Sequence, residues 1–526
     1  MQDMATTLTA SHVVRSSRPE PQIPDVSLDS HVLARGRPGD VAMIDSASGR
    51  SLTFGALADA VAGLAGGLAA RGVGPGDVVC LHAPNVPEWP VAFHAGLRAG
   101  AAVMAASPLA PVPELARQLK LTGARVLITA PALLEGARTA AAEAGLDDVI
   151  VLGDAPGAVS LSALMAEEPA TRQVDPSTDT AALLWSSGTT GLPKAVELSH
   201  RNLVANLVQA AGPLDLQPGH RMLALAPFFH AMGLTPILNF TLSRGAAVVS
   251  MARFDLDGML AAIEQHRITH AIVPPPVGLA LSRHPVVERY DLSSLEVLAM
   301  GSAPVSAELE RACARRLGCQ VGQGYGMTES SAVIAIYPAE APERTQPGTC
   351  GELLGGIEAI VVDPGSGERL APGSEGEIRV RGPQVMSGYR DNPEATAAML
   401  TADGWLCTGD LGRVSAEGVV EVTDRLKELI KYKGHQVAPA QLEALLSTHP
   451  FVVEAGVVGI PDEEAGERPV AYVVAATELD PDELMSWVAR RVAPYERIHH
   501  VELVDELPKN PTGKLLRRVL RERERP

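Results

Sequence analysis

Leu184-Trp185-Ser186-Ser187-Gly188-Thr189-Thr190-Gly191-Leu192-Pro193-Lys194-Ala195-Val196 decides the reading of this chain. The nine positions from Ser186 to Lys194 hold two Ser, two Thr, two Gly and one Lys, directly after the apolar run Ala181-Ala182-Leu183-Leu184-Trp185. That pattern predicts a buried strand that hands over to a polar loop. Hydroxyls and backbone N–H groups on glycine turns suit phosphate oxygens, and Lys194 adds a point charge. It is not a Walker loop: the glycine spacing differs, and Ala195 follows Lys194 where Ser or Thr would be needed. Taken alone, the stretch fits a phosphate loop or an ordinary surface loop.

Upstream, apolar runs alternate with helical patterns. Leu57, Val61, Leu64 and Leu68 recur at helical spacing after Thr53 and stop at Arg71-Gly72. Val78-Val79-Cys80-Leu81, Ala101 to Ala105, Val126 to Thr129 and Val149 to Leu152 read as buried strands, with Ala-rich helices between them. This alternation predicts an α/β fold built on parallel sheet.

The bulk numbers narrow the class. At 526 residues the chain exceeds one simple core, so more than one domain is expected. With 44 basic against 62 acidic residues the net charge is -18, which disfavours nucleic acid and anionic membrane as partners. The C-terminal arginines Arg517, Arg518, Arg521, Arg523 and Arg525 are read as a solvated helix face rather than an RNA patch. Five scattered cysteines have no metal-ligand spacing and imply no disulfide framework, which fits a reducing cytoplasm. No apolar run is long enough to predict a membrane span. Residues 1–24 lack a continuous apolar segment and are expected to be a disordered leader rather than a signal peptide.

Downstream of the opening loop, several segments carry chemistry. Leu223 to His230 ends a predicted strand at Phe228-Phe229-His230, where the His is either packed or functional. An apolar strand, Leu295 to Met300, runs into Gly301-Ser302-Ala303-Pro304, whose small residues admit a flat ring close to the backbone. Gln323-Gly324-Tyr325-Gly326-Met327-Thr328-Glu329 joins an aromatic between glycines to a hydroxyl and a carboxylate; Gly-Tyr-Gly by itself is only a turn signal. Thr408-Gly409-Asp410, Asp424-Arg425-Leu426-Lys427, Lys431-Tyr432-Lys433-Gly434-His435-Gln436 and Pro508 to Lys514 complete the set.

Together with Ser186 to Lys194, these segments resemble the adenylate-forming superfamily of acyl- and aryl-CoA ligases, luciferases and adenylation domains. The resemblance runs from about Leu52 to Arg518, and the subgroup it most resembles is the 4-coumarate–CoA ligases. It implies an α/β architecture: a large N-terminal domain of layered sheets with flanking helices over 25–424, and a small mobile α+β lid domain over 425–526. The implied substrates and cofactors are ATP, Mg²⁺, coenzyme A and a carboxylic acid. The implied ATP/AMP site comprises Ser186, Ser187, Gly188, Thr189, Thr190, Lys194, Gln323, Gly324, Tyr325, Thr328, Asp410, Arg425, Lys427, Lys431, Gln436 and Lys514. Within it Tyr325 would stack on adenine, Thr328 would donate to the α-phosphate and Asp410 would clasp the ribose hydroxyls. Lys514, Glu329, Thr190 and Lys194 would be catalytic, with Glu329 on the metal. His230, Met232, Ser302, Gly324 and Ile336 would line the acyl pocket, and Arg253, Lys433 and Gly434 would meet CoA or another acceptor. Lys427 falls at the hinge position of the family.

The chain departs from the family in four places, one of them Ser302, where the coumarate ligases usually hold Ala. In the other three, Met232 stands where plant coumarate ligases carry Tyr, Pro236 replaces a small polar residue, and His435 replaces Phe or Tyr. The first two of these three trade a phenolic hydrogen-bond partner for apolar surface, so an aromatic or a medium apolar acid fits. The third leaves an amine acceptor open beside CoA. No Gly-x-Ser-x-Gly elbow or His-Glu-x-x-His is present. A monomer or homodimer in the cytoplasm is expected.

Overall fold

Strand and helix alternate through most of the chain, and the two largest sheets they build are mainly parallel. The computed structural model describes residues 12–165, 170–186, 193–433, 435–462, 464–509 and 515–523. A nine-stranded sheet runs in space Glu352–Leu353, Ala335–Ile336, Gln320–Tyr325, Val297–Met300, His270–Val273, Arg221–Ala224, Ala247–Ser250, Val41–Asp45, Ser51–Thr53. An eight-stranded sheet runs Gly388–Tyr389, Lys194–Ser199, Thr180–Ser186, Ala102–Ala106, Val78–His82, Ala124–Thr129, Val149–Val151, Val159–Ser160. The inner strands are short Val/Ile/Leu/Ala runs, buried on both faces because crossover helices cover both sides.

Helix Phe54–Ala70 shows how these layers close. The Thr53 hydroxyl accepts from the Ala56 N–H at 3.2 Å and caps its start. Leu57, Val61, Leu64 and Leu68 turn into the core. Gly67 allows Leu164 to approach: a Cβ there would sit 1.7 Å from the Leu164 carbonyl oxygen.

An antiparallel sheet carries Val14–Arg15, Glu358–Val362, Gly376–Arg381, Leu406–Val414 and Val420–Arg425, with Arg369–Leu370 against Glu358–Val362. For residues 12–24, its first strand corrects the sequence reading of a disordered leader over 1–24. Val14 pairs with Ala359 and Arg15 with Glu358, and Arg18 bridges Glu340 at 2.7 Å and Glu352 at 2.9 Å. A backbone ladder and two distant carboxylates supply order that a Ser/Pro-rich composition does not announce. Residues 1–11 lie outside the described residues.

The smaller C-terminal body has its own five-stranded sheet: His435–Val437, Ile430–Tyr432, Gly466–Ala475, Val452–Asp462, and His500–Leu503 parallel to Gly466–Ala475. Helices Pro439–Ser447 and Pro481–Ala489 pack on it around Leu442, Leu446, Val457, Val473 and Leu484. It meets the larger body through the Asp424 carboxylate, which accepts from the Ala440 N–H at 2.7 Å, and through the Arg283 guanidinium, which donates to the Ser447 carbonyl at 2.8 Å. The five cysteines are free thiols, three of them buried. No helix among the described residues is long and apolar enough to cross a membrane.

Candidate active site

In the nine-stranded sheet, strands Val297–Met300 and Gln320–Tyr325 are parallel neighbours, so the turns that follow them open on one side. Crevices beyond the carboxyl ends of parallel strands are where such folds bind ligands. Here the crevice is a cavity of about 290 Å³. One wall is the turn 302–306, the strand end 323–326, Asp410 and Arg425; the other is helix Pro439–Ser447, the segment 453–455, Leu515 and Arg517. The two bodies thus share the cavity.

Tyr325, Asp410 and Arg425 form its polar edge. Asp410 and Arg425 are cross-strand partners in the antiparallel sheet. The Arg425 Nε lies 3.1 Å from Asp410 Oδ1, and the Tyr325 hydroxyl donates to Oδ2 at 2.8 Å. Burial and the adjoining Asp410 charge push the Tyr325 phenol well up, so it stays a donor. Asp410 is 3% exposed, and its backbone N–H donates to the Thr408 hydroxyl at 3.1 Å. A buried carboxylate fixed on both flanks is preorganised to accept from vicinal hydroxyls.

A second cluster is centred on Glu329, 3% exposed on the 3₁₀ turn Thr328–Ser330. The Tyr389 hydroxyl donates to Glu329 Oε1 at 2.7 Å. Tyr389 pairs with Val196 across the sheet, and the Lys194 ammonium lies 4.9 Å from the Tyr389 ring centroid. Burial and the Glu329 charge raise the Tyr389 phenol far above its ordinary value. Lys427 links the two clusters electrostatically. Its ammonium is lowered by burial and then by the positive charges of Lys194 and Arg425.

The expected residues divide by place. Ser302, Gln323, Gly324, Tyr325, Asp410 and Arg425 line the cavity. The Gln323 side chain, however, is taken up by protein: its amide nitrogen donates to the Val305 carbonyl at 2.8 Å, and its oxygen accepts from the Val305 N–H at 3.0 Å. Met232 and Ile336 stand behind the lining. Ser302, held at φ 76, directs its hydroxyl to the Met232 sulfur at 3.6 Å, and Ile336 packs 3.5 Å from where a Gly324 Cβ would be. His230 is half-buried, and its Nδ1 accepts from the Met232 N–H at 3.4 Å. Pro236 sits inside the wide π-helical turn Gly233–Asn239, a form common at functional sites.

Thr328, 9% exposed, adjoins Glu329 on the same turn, and half-buried Ser186 ends the strand Thr180–Ser186. Lys431, Lys433 and Gln436 are exposed on the hairpin Ile430–Tyr432 and His435–Val437, outside the cavity lining. Arg253 is exposed on the turn before helix Leu256–His266 and also outside the lining. Ser187, Gly188, Thr189, Thr190, Gly434 and Lys514 lie outside the described residues.

Three site features escape the sequence reading. Tyr389 holds Glu329, Glu310 holds Gln323, and Arg517 is not on a solvated face. Arg517 grips both carboxylate oxygens of Glu443, at 2.8 and 2.7 Å, and borders the cavity. Charge spacing along a helix shows nothing of an acidic partner far away in sequence. Arg521 likewise pairs with Glu428 at 3.2 Å, leaving Arg518, paired with Glu522, on the exposed face.

The fold, a large and a small body about a shared crevice, is that of an enzyme class to which matching family models assign the chain: it belongs to the AMP-binding enzyme family. The family model for AMP-binding enzymes matches residues 31–390, and that for the AMP-binding enzyme C-terminal domain matches residues 441–514. Within the family, the chain is 41% identical to 4-coumarate–CoA ligase 5 of Oryza sativa subsp. japonica, over 98% of each chain. Among solved structures, the anthranilate CoA ligase AuaEII in complex with anthranoyl-AMP superposes with a TM-score of 0.88 at 26% identity, covering 95% of this chain and 97% of that one. The amide bond synthetase McbA from Marinactinospora thermotolerans superposes at 0.84 and 29% identity, covering 95% and 99%.

Proposed function

We infer that this chain is an AMP-forming acid–CoA ligase. It activates an aromatic, cinnamate-like or medium apolar carboxylic acid with ATP and passes the acyl group to coenzyme A. The observation that carries the reading is the Tyr325–Asp410–Arg425 array at the rim of a cavity floored by the two glycine-containing turns. The 4-coumarate–CoA ligase relative supports the acceptor and the class of acid.

In the first step a carboxylate oxygen attacks the α-phosphorus of ATP, and the bond to pyrophosphate breaks, giving acyl-AMP. The barrier is mainly repulsion between anions and the charge that develops at phosphorus. Lys194, Lys514 and the Ser186 to Thr190 loop counter that charge, while Asp410 accepts from the ribose hydroxyls and Arg425 holds Asp410 in place. Glu329 suits Mg²⁺: its carboxylate is buried, with one oxygen held in place by the Tyr389 hydroxyl. A single protein carboxylate beside phosphate oxygens is the donor set Mg²⁺ favours. In the second step the CoA sulfur, having lost its proton, attacks the acyl carbonyl and AMP leaves. Rotation about Lys427, withdrawing Lys514 and bringing in Lys433 and Gly434, serves that step. Met232 and Pro236 favour an acid without a hydroxyl at the pocket end.

The amine-acceptor alternative rests on His435 and on the altered acyl pocket. The His435 ring lies flat on Tyr495, with centroids 4.4 Å apart and planes 11° apart, as an aromatic residue would. Pyrophosphate release across a panel of acids, followed by product analysis with CoA and with amino acids, is the test. Thioester from CoA is expected; amide without thioester would replace this reading. Lys514→Ala is expected to abolish acyl-AMP formation yet still make thioester from supplied acyl-AMP, and equal loss of both steps would refute the division of labour.

A further inference from the structure

We propose that Glu310 is a positioning residue for the nucleotide side of the cavity, acting through Gln323 on the turn Gly301–Val305; this rests on the acid-activation reading above. Met300 and Gln323 form the last paired rung between their two parallel strands. Beyond it the chain leaves the sheet through Ser302, in the left-handed region at φ 76, and returns at Val305. There the Gln323 amide engages both the N–H and the carbonyl of Val305, at 3.0 and 2.8 Å. A side chain thus supplies the next rung and pins the far end of the turn. Ser302, Ala303 and Pro304 are held between the two anchored ends and face the cavity.

An amide can sit either way round, and only one way serves Val305. Glu310, on helix Ala307–Leu317, selects it. Its Oε1 accepts the second N–H of Gln323, and the Gly348 N–H donates to the same carboxyl group. A flipped amide would set oxygen against oxygen at both Glu310 and the Val305 carbonyl. Glu310 and Gln323 are each 3% exposed, so a lost partner is not replaced by bulk water. Glu310 does not itself line the cavity. Its effect on ligand passes through Gln323 and the turn.

The test is acid-dependent ATP–pyrophosphate exchange, read as KM for ATP and kcat, with thermal unfolding measured alongside. Glu310→Ala is expected to raise KM for ATP about tenfold, the size of one buried hydrogen bond to a charged group. Glu310→Gln keeps an acceptor for Gln323 and is expected to stay within about twofold of the wild type. The double variant E310A/Q323A is expected to be no worse than Gln323→Ala alone, because one residue acts through the other. Wild-type KM for ATP in E310A with only a lower Tm, or effects that multiply in the double variant, would overturn the proposal. Should E310A fail to fold, E310Q and Gln323→Met carry the test: equal KM for ATP in the two overturns it. A wild-type protein that exchanges pyrophosphate with no acid would instead overturn the activation reading itself.

Discussion

Replacing Arg517 with Met should loosen the small body more than any exposed charge change. The guanidinium meets both oxygens of Glu443 at 2.8 and 2.7 Å, and the two side chains are only 15% and 19% exposed. The Val457 N–H donates to the same carboxylate at 2.8 Å, and the Val457 carbonyl accepts from Arg517 Nε at 3.3 Å. Burial pushes the Glu443 carboxyl up, and Arg517 is what draws it back. Without the guanidinium the carboxylate keeps one backbone donor and loses its countercharge. Breaking a buried pair in this way costs about 3–5 kcal/mol, whereas exchanging both members for apolar residues is often neutral. R517M should therefore lose about 3 kcal/mol, lowering the Tm of the small body by more than about 10 °C, and E443L/R517M should recover most of it. Thermal unfolding followed by circular dichroism, in dilute buffer and in high salt, is the assay. A buried pair is little screened, so the loss should be the same in both. A single variant within about 1 kcal/mol of wild type, or a double variant as unstable as the single, would refute the argument.

Tyr389→Phe removes the donor to Glu329 but leaves a ring beside Lys194. A hydrogen bond to a charged group is worth about 1.5–3 kcal/mol, so pyrophosphate release should fall at least tenfold with a raised Mg²⁺ requirement, read by titrating Mg²⁺. Glu310 gives a pH prediction. Burial raises its carboxyl from 4.5 to about 7, against the smaller opposing pull of Gln323, the Gly348 N–H and Arg311. Because the folded value is the higher one, this group's contribution is fully favourable below about 4.5, declines as pH rises to about 7 and is level above. Relative to wild type, E310Q should therefore gain stability over that interval, by a total on the order of 3 kcal/mol in denaturant titrations. A difference that does not change with pH would contradict it.

What the sequence makes legible follows from the range of the interaction. Val78–His82, Ala124–Thr129 and Val297–Met300 are readable because a strand buried on both faces must be apolar along its length. Tyr325, Asp410 and Arg425 are readable because their motifs resemble those of the adenylate-forming family, not because spacing alone gives their chemistry. Arg517, Glu310 and Tyr389 are not, since each takes its meaning from a partner on another element: Glu443, Gln323 and Glu329. Gln323 shows the complementary case. Its motif points to ligand, yet its amide is spent on Val305.

The strand Val14–Arg15 has a practical meaning. It covers the start of Glu358–Val362, and the Arg18 side chain beside it neutralises Glu340 and Glu352. A protein trimmed to residue 31, where the match to the AMP-binding family model begins, would bare unpaired amides and carbonyls next to a Glu340 without Arg18 and a Glu352 left with Arg344 alone. Such a border recruits strands from other molecules. Insolubility in a shortened version would then report a missing seam, not a badly folded catalyst.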